Sequence, residues 1–280
     1  MNTLRILLLM TVGMLVAAAS QAQIIPYQRD TIPSEWVIHD IDSTPSFGIY
    51  KDNYFIFGTS VGPKANKHNT DVKFQISVRQ RLTRSTLPWG TYLYLCYTQR
   101  VFWNVCEKSV PMHDFLFNPG IGLFKPFYTG GRFIGGAGLL IEHESNGRDG
   151  EASRSWNKVT LFGNMIVFDR LIVNGKIWIP IVDGEYNHDL LRYAGLFQVG
   201  ASYHTPNNKF GFSAQFVKRM GWDLNFNTTL EFSWHVFKRN NLYLFAQYYN
   251  GFGENLLDYN RFGSRLRVGF VIKPRYYSEY

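Results

Sequence analysis

The chain has 280 residues, 45% hydrophobic, 17% aromatic and only 18% charged, with 29 Lys and Arg against 21 Asp and Glu for a net charge of +8. Charge below the usual value of about a quarter, with a surplus of Tyr and Phe, excludes a disordered or coiled-coil chain and points to a surface that is not wholly wet. Mean hydropathy is -0.17, and the longest apolar run, Ile6 to Ala19, falls short of the ~20 residues of a membrane-spanning helix, so polytopic helical transport is excluded too.

That run reads as an export signal. Arg5 supplies the positive start and Ser20-Gln21-Ala22 the small-x-small cleavage site, so residues 1–22 are expected to be removed and the mature chain to begin at Gln23. A segment over 23–45 follows, rich in turn formers and without sustained helical period. From there on, apolar and polar residues alternate in segments separated by turn signals. Strands are expected at 47–59, 71–82, 89–104, 115–128, 132–145, 153–168, 172–182, 193–204, 209–219, 222–235, 239–250 and 261–273, with no confident helix, and residues 274–280 form a tail.

The last strand shows the pattern most clearly. Phe262, Ser264, Leu266, Val268, Phe270 and Ile272 fall on one face and Arg261, Gly263, Arg265, Arg267 and Gly269 on the other. Rows such as Phe210, Phe212, Ala214, Phe216 and Leu242, Leu244, Ala246, Tyr248 repeat it.

An even set of twelve strands, each about ten residues or longer, in an exported chain is the pattern of an all-β, twelve-stranded antiparallel transmembrane β-barrel over 46–273. A soluble β-sandwich, the bland rival, has strands of about five or six residues. A sheet facing lipid must close on itself, because no backbone group can remain unpaired in hydrocarbon. Turns at 128–131 and 205–208 are expected on the periplasmic side, and the longer connections 60–70, 105–114, 183–192 and 251–260 outside.

The net charge of +8 suits acidic lipid head groups, and no motif supports nucleic-acid binding. Cys96 lies in a strand and Cys106 beyond its end. At about 3.3 Å per residue they are too far apart to pair unless the chain doubles back, and both are read as unpaired.

Chemistry concentrates in His143-Glu144-Ser145-Asn146-Gly147-Arg148 and, after a turn, Ser153-Arg154-Ser155-Trp156-Asn157. Strand parity puts His143 and Ser145 on the face of Phe133, Ala137, Leu139 and Ile141, with Arg132, Gly136, Gly138 and Glu142 on the other. A hairpin symmetric about Gly150 sets position 143 opposite 157, and Asn157 shares its face with Val159, Leu161, Met165 and Val167. Polar groups on an apolar wall are costly unless they satisfy one another or serve a function. A Ser, a His to take its proton and an Asn to hold the imidazole make a nucleophile, base and orienter. The alternative from spacing alone is a polar loop rim.

These two stretches resemble the active-site hairpin of outer-membrane phospholipase A. Asp71-Val72-Lys73-Phe74-Gln75, Tyr97-Thr98-Gln99 and Gly253-Glu254-Asn255-Leu256-Leu257-Asp258-Tyr259-Asn260 add support, so the similarity spans most of 45–273. The resemblance implies a Ca2+-dependent esterase in the outer membrane, cleaving acyl chains from glycerophospholipids and lysophospholipids and active as a homodimer. It implies Ser145 as nucleophile, His143 as general base, Asn157 as its orienter and the N–H of Gly147 in the oxyanion hole. It also implies calcium contacts from Ser153 and the Arg148 carbonyl, with Ser109 contributing from the partner subunit, and Gln99 joining the subunits within the membrane. The connection from Gln99 to Ser109 is about two residues shorter than the family pattern.

Three further matches are discounted. Gly58-Thr59-Ser60-Val61-Gly62 fits GxSxG but runs into Pro63 where a helix is required. His143-Glu144 starts like HExxH, but position 147 is Gly and the segment is a strand. Asn227-Thr228-Thr229 is too short a pattern to carry weight. The competing reading of the whole chain is a non-catalytic outer-membrane pore or adhesin barrel, with Arg265 and Arg267 lining its inner face.

Overall fold

The computed structural model describes residues 45–274 except 85, 86, 130, 131, 169, 182–184 and 237–239. The expected signal segment, most of 23–45, the glycine pair of the 128–131 turn and the tail beyond 274 lie outside the described residues.

The strands are β1 (Phe47–Ile49), β2 (Asn53–Ser60), β3 (Thr70–Arg81), β4 (Tyr92–Trp103), β5 (Met112–Thr129), β6 (Arg132–Ser145) and β7 (Ser155–Val167). They continue with β8 (Leu171–Ile181), β9 (Phe197–His204), β10 (Phe210–Lys218), β11 (Phe226–Trp234), β12 (Leu242–Gly251) and β13 (Gly263–Ile272). Each of β2 to β13 pairs antiparallel with its neighbours, and β13 returns to β2 through pairs such as Val268↔Phe57. The sheet is therefore a closed barrel of twelve strands. β1 belongs to the first of them: it pairs with β3 at Ile49↔Val78, and after an interruption β2 resumes at Tyr54↔Gln75. Closure leaves no open edge for lipid or another chain to meet.

Burial alternates along the strands. Ile141, Leu161, Ile179, Val199, Phe212, Val268 and Phe270 are exposed on the outside. So much exposed apolar surface is untenable for a soluble monomer and natural for a wall in hydrocarbon. No helix among the described residues is long and apolar enough to cross a membrane.

The inner face is packed. Tyr50, Tyr92, Tyr94, Cys96, Phe124, Leu140 and Phe162 fill the end with short turns. Phe102, Leu116, Trp156, Trp178, Leu190, Leu256 and Tyr259 close the end with long connections. Between them Arg267, 1% exposed, grips Asp71 through Nε at 2.6 Å and Nη2 at 2.9 Å, and donates to Glu254 at 2.6 Å. Lys73 reaches Glu254 at 3.0 Å and Gln247 at 2.8 Å. A polar cavity of about 220 Å³ remains beside this network.

Three details depart from the sequence expectations. A short helix, α1 (Leu190–Ala194), folds over the mouth and occupies the start of the strand expected over 193–204, burying Leu190. β5 begins at Met112, so His113 and Asp114 belong to a strand, not a loop. Phe133 packs against the inner tyrosine cluster, not the outer wall. The cause is a bulge: the β5–β6 register shifts between Phe127 and Tyr128, and Gly135 takes φ +144° to absorb it. Cys96 is buried and Cys106 exposed, with no disulfide between them.

Candidate active site

β6 and β7 pair in the register His143↔Asn157, Glu144↔Trp156, Ser145↔Ser155. On the lumen side Glu144 accepts hydrogen bonds from Lys158 Nζ at 2.9 Å and Trp156 Nε1 at 3.2 Å, and Thr160 donates to Glu142 at 2.5 Å. These buried contacts fix the register, because a slip of one residue would turn every side chain to the opposite face. Leu140 and Glu142 are buried inward while Leu139 and Ile141 are exposed outward. His143, Ser145 and Asn157 therefore share the outer, apolar wall.

There the imidazole and the amide meet: His143 Nδ1 and Asn157 Oδ1 are 2.8 Å apart. An amide oxygen only accepts, so this bond places the proton on Nδ1 and leaves Nε2 as the basic nitrogen. Ser145 is two residues along the same face and half-buried. Its hydroxyl enters no hydrogen bond among the described residues, so the Ser–His contact is not closed here. Asn118 Nδ2 donates to the His143 carbonyl at 3.0 Å and ties the strand to β5.

The turn above is shaped by Asn146, which is 2% exposed. Its Oδ1 accepts from the N–H of Arg154 at 3.0 Å and of Arg148 at 3.3 Å, and its Nδ2 donates to the Ala152 carbonyl at 2.9 Å. Gly147 has φ +65°, and a Cβ there would meet the Phe117 ring at 2.8 Å. Only glycine fits both constraints without strain. The Arg154 guanidinium donates to the carbonyls of Glu151 at 2.7 Å and Ser153 at 2.8 Å. By contrast the Arg148 carbonyl and the Ser153 hydroxyl enter no hydrogen bond among the described residues, which leaves two neutral oxygens in one turn available to a hard cation. Among the described residues no group of three or more His, Cys, Asp and Glu side chains could hold a metal.

Ser109 is exposed in the 104–111 connection, at the same end of the barrel as the turn. Gln99 lies on the outer face of β4, half-buried, and accepts from the Tyr97 hydroxyl at 3.4 Å. Neither side chain hydrogen-bonds to the hairpin among the described residues.

What sequence reading missed is the ring of residues bracing this hairpin. His113 Nε2 is 2.6 Å from Asp258 Oδ2. The Arg154 guanidinium stacks over Tyr259, whose hydroxyl is bonded to Asp189. His113 and Asp258 are 145 positions apart in sequence, so no local signal could have paired them.

A closed antiparallel barrel with an apolar outside defines a membrane β-barrel, and a hydrogen-bonded His–Asn pair interrupts its lipid-facing wall. The family model for phospholipase A1 matches residues 44–272. Phospholipase A1 of Escherichia coli strain K12 is 31% identical over 214 residues, covering 74% of this chain and 71% of that protein. The solved calcium-bound dimer of the Salmonella typhi outer membrane phospholipase is 25% identical, with a TM-score of 0.72, covering 87% of this chain and 98% of that one. An Escherichia coli outer membrane phospholipase A with an active-site asparagine changed to alanine matches equally, at 25% and 0.72, covering 86% and 98%. The chain belongs to the phospholipase A1 family. It is a phospholipase of the Gram-negative outer membrane.

Proposed function

We propose that this enzyme hydrolyses acyl ester bonds of glycerophospholipids and lysophospholipids with a Ser145, His143 and Asn157 site, in a calcium-dependent manner. The carrying observation is the 2.8 Å bond from His143 to Asn157 on the outer wall. Asn157 holds the imidazole with Nε2 free to take the Ser145 proton as the hydroxyl attacks the ester carbonyl. His143 then returns that proton to the leaving alcohol, and the acyl-Ser145 ester is released by water that His143 deprotonates. The Gly147 N–H, raised by its positive φ, is the oxyanion donor. Support for Asn157 comes also from the relative whose active-site asparagine was singled out for replacement.

The Arg148 carbonyl and the Ser153 hydroxyl are the residues that would hold Ca2+, with water completing its oxygen shell. Bound there, the ion would supply positive charge next to the developing oxyanion. The Salmonella typhi relative is a dimer with bound calcium, and by that analogy Ser109 acts from the partner subunit and Gln99 joins two copies. Substrate reaches Ser145 laterally, because the residue opens onto lipid and the lumen is packed.

The test is fatty-acid release from a defined phospholipid in detergent, with calcium or chelator, for wild type and Ser145→Ala. Release by wild type in calcium, lost with chelator and lost in Ser145→Ala, is expected. An unchanged rate in Ser145→Ala removes the nucleophile, and an unchanged rate in chelator removes calcium.

A further inference from the structure

Asp114 is fully buried at the start of β5. Its Oδ2 accepts from the backbone N–H of Leu256 and of Leu257, each at 2.9 Å, pinning the β12–β13 connection to the barrel rim. Among the described residues its Oδ1 has no hydrogen-bond partner, and neither has Arg148 Nε. These two shielded atoms face each other at 4.0 Å. Arg148 is held in that position by Nη2, which donates to the His113 carbonyl at 2.5 Å.

A buried carboxylate oxygen and a buried guanidinium N–H, each without a hydrogen-bond partner, attract each other and carry a desolvation cost until they meet. Closing by about 1 Å would complete a charge-assisted bond. Arg148 stands between the Gly147 N–H and its own carbonyl, the two backbone groups on which the proposed function relies. Asn146 organises this turn from within, whereas Arg148 ties it to the rim. The pull of Asp114 on the side chain therefore bears on both backbone groups.

We infer that Asp114 and the Arg148 side chain form a positioning strut, which links the β12–β13 connection to the backbone at Gly147 and Arg148 and aligns that backbone for the reaction. This inference rests on the proposed function above. Neither side chain touches substrate. Misplacement of about 1 Å by a residue outside the chemistry can cost on the order of 100-fold in rate, so the strut should appear in kcat and not in KM.

The experiment is a double-mutant cycle with Asp114→Asn and Arg148→Met, read by kcat, KM and a calorimetric calcium-binding isotherm. Asp114→Asn keeps an acceptor for the Leu256 and Leu257 amides, and Arg148→Met keeps the backbone carbonyl. Each single variant is expected to lose about 10–100-fold in kcat with KM within about twofold, and to bind calcium several-fold more weakly. The double variant is expected to be no worse than the poorer single, because two halves of one strut cannot be lost twice. Wild-type kcat and isotherm in both singles overturn the strut, as do losses that multiply in the double. Should Asp114→Asn fail to fold, Arg148→Met, whose side chain is 37% exposed, decides by the same readouts. Ser145→Ala run in parallel separates the two levels: hydrolysis persisting there defeats the proposed function, whereas its loss beside unaltered strut variants defeats the strut alone.

Discussion

In the proposed reaction His143 depends on one neighbour. With Nδ1 engaged by Asn157 Oδ1 at 2.8 Å, the ring has one tautomer and one basic edge; without that acceptor it would rotate and exchange tautomers on an exposed strand. Asn157→Ala is therefore expected to lower kcat on the order of 100-fold while leaving the barrel folded, measured by initial rates on protein that keeps its heat-resistant gel mobility. Gly147 is constrained by its backbone and by the Phe117 ring. Gly147→Ala must move one or the other, and an expected loss of about 100-fold in kcat at little changed KM would mark the displaced N–H. Sequence exposed the His–Asn pairing because both residues obey the two-residue pleat and face each other across one hairpin. It did not expose Asp114, whose hydrogen-bond partner Leu256 lies 142 positions away in the β12–β13 connection.

At the scale of elements, the β6–β7 hairpin is a rigid two-strand unit braced from above by the β12–β13 connection. Asp258 in that connection is held below the ordinary carboxylate range, chiefly by its hydrogen bond with His113. Since its folded pKa is depressed, the stability it contributes is present above the unfolded value and is lost as pH falls through the folded one. The connection is thus expected to keep its protection from proteolysis at neutral pH and to lose it below about pH 4, with Asp258→Asn already unprotected at about pH 7. Equal protection of the two proteins at neutral pH would contradict the latch. Two elements escaped the sequence reading for definable reasons. The bulge at Gly135 turns Phe133 inward, and a single inserted residue leaves no trace in an alternating pattern. Helix α1 has only five residues, less than two turns, and is held by packing on Trp178 and Tyr259 in place of its own periodicity.

The whole molecule is a cylinder whose inside is a core, not a channel. Burial opposes ionisation of Glu254, but Arg267 and Lys73 outweigh it and hold the carboxyl down at about 2. Removing the shared cation by Arg267→Met leaves Asp71 and Glu254 buried without their main partner, and a loss of about 3–5 kcal/mol is expected in denaturant unfolding from micelles. Aromatic packing at one end and the Trp156, Trp178, Leu256 and Tyr259 cluster at the other also predict no stable conductance in planar bilayers. Porin-like current steps would revive the passive-pore reading that the sequence left open.

What the sequence determined alone is whatever the strand pleat encodes: the number of strands, most of the lipid-facing rows, and the placement of His143, Ser145 and Asn157 on one face. Those properties repeat every two residues and need no knowledge of distant segments. The tertiary structure decided what lies inside. Arg267 meets Asp71, 196 positions away, across Gly58 of β2 only once β13 has closed on β2, and Asp114 meets Leu256 only when the β12–β13 connection has folded onto the rim. Such side-chain partners depend on that closure and folding, which no local pattern carries.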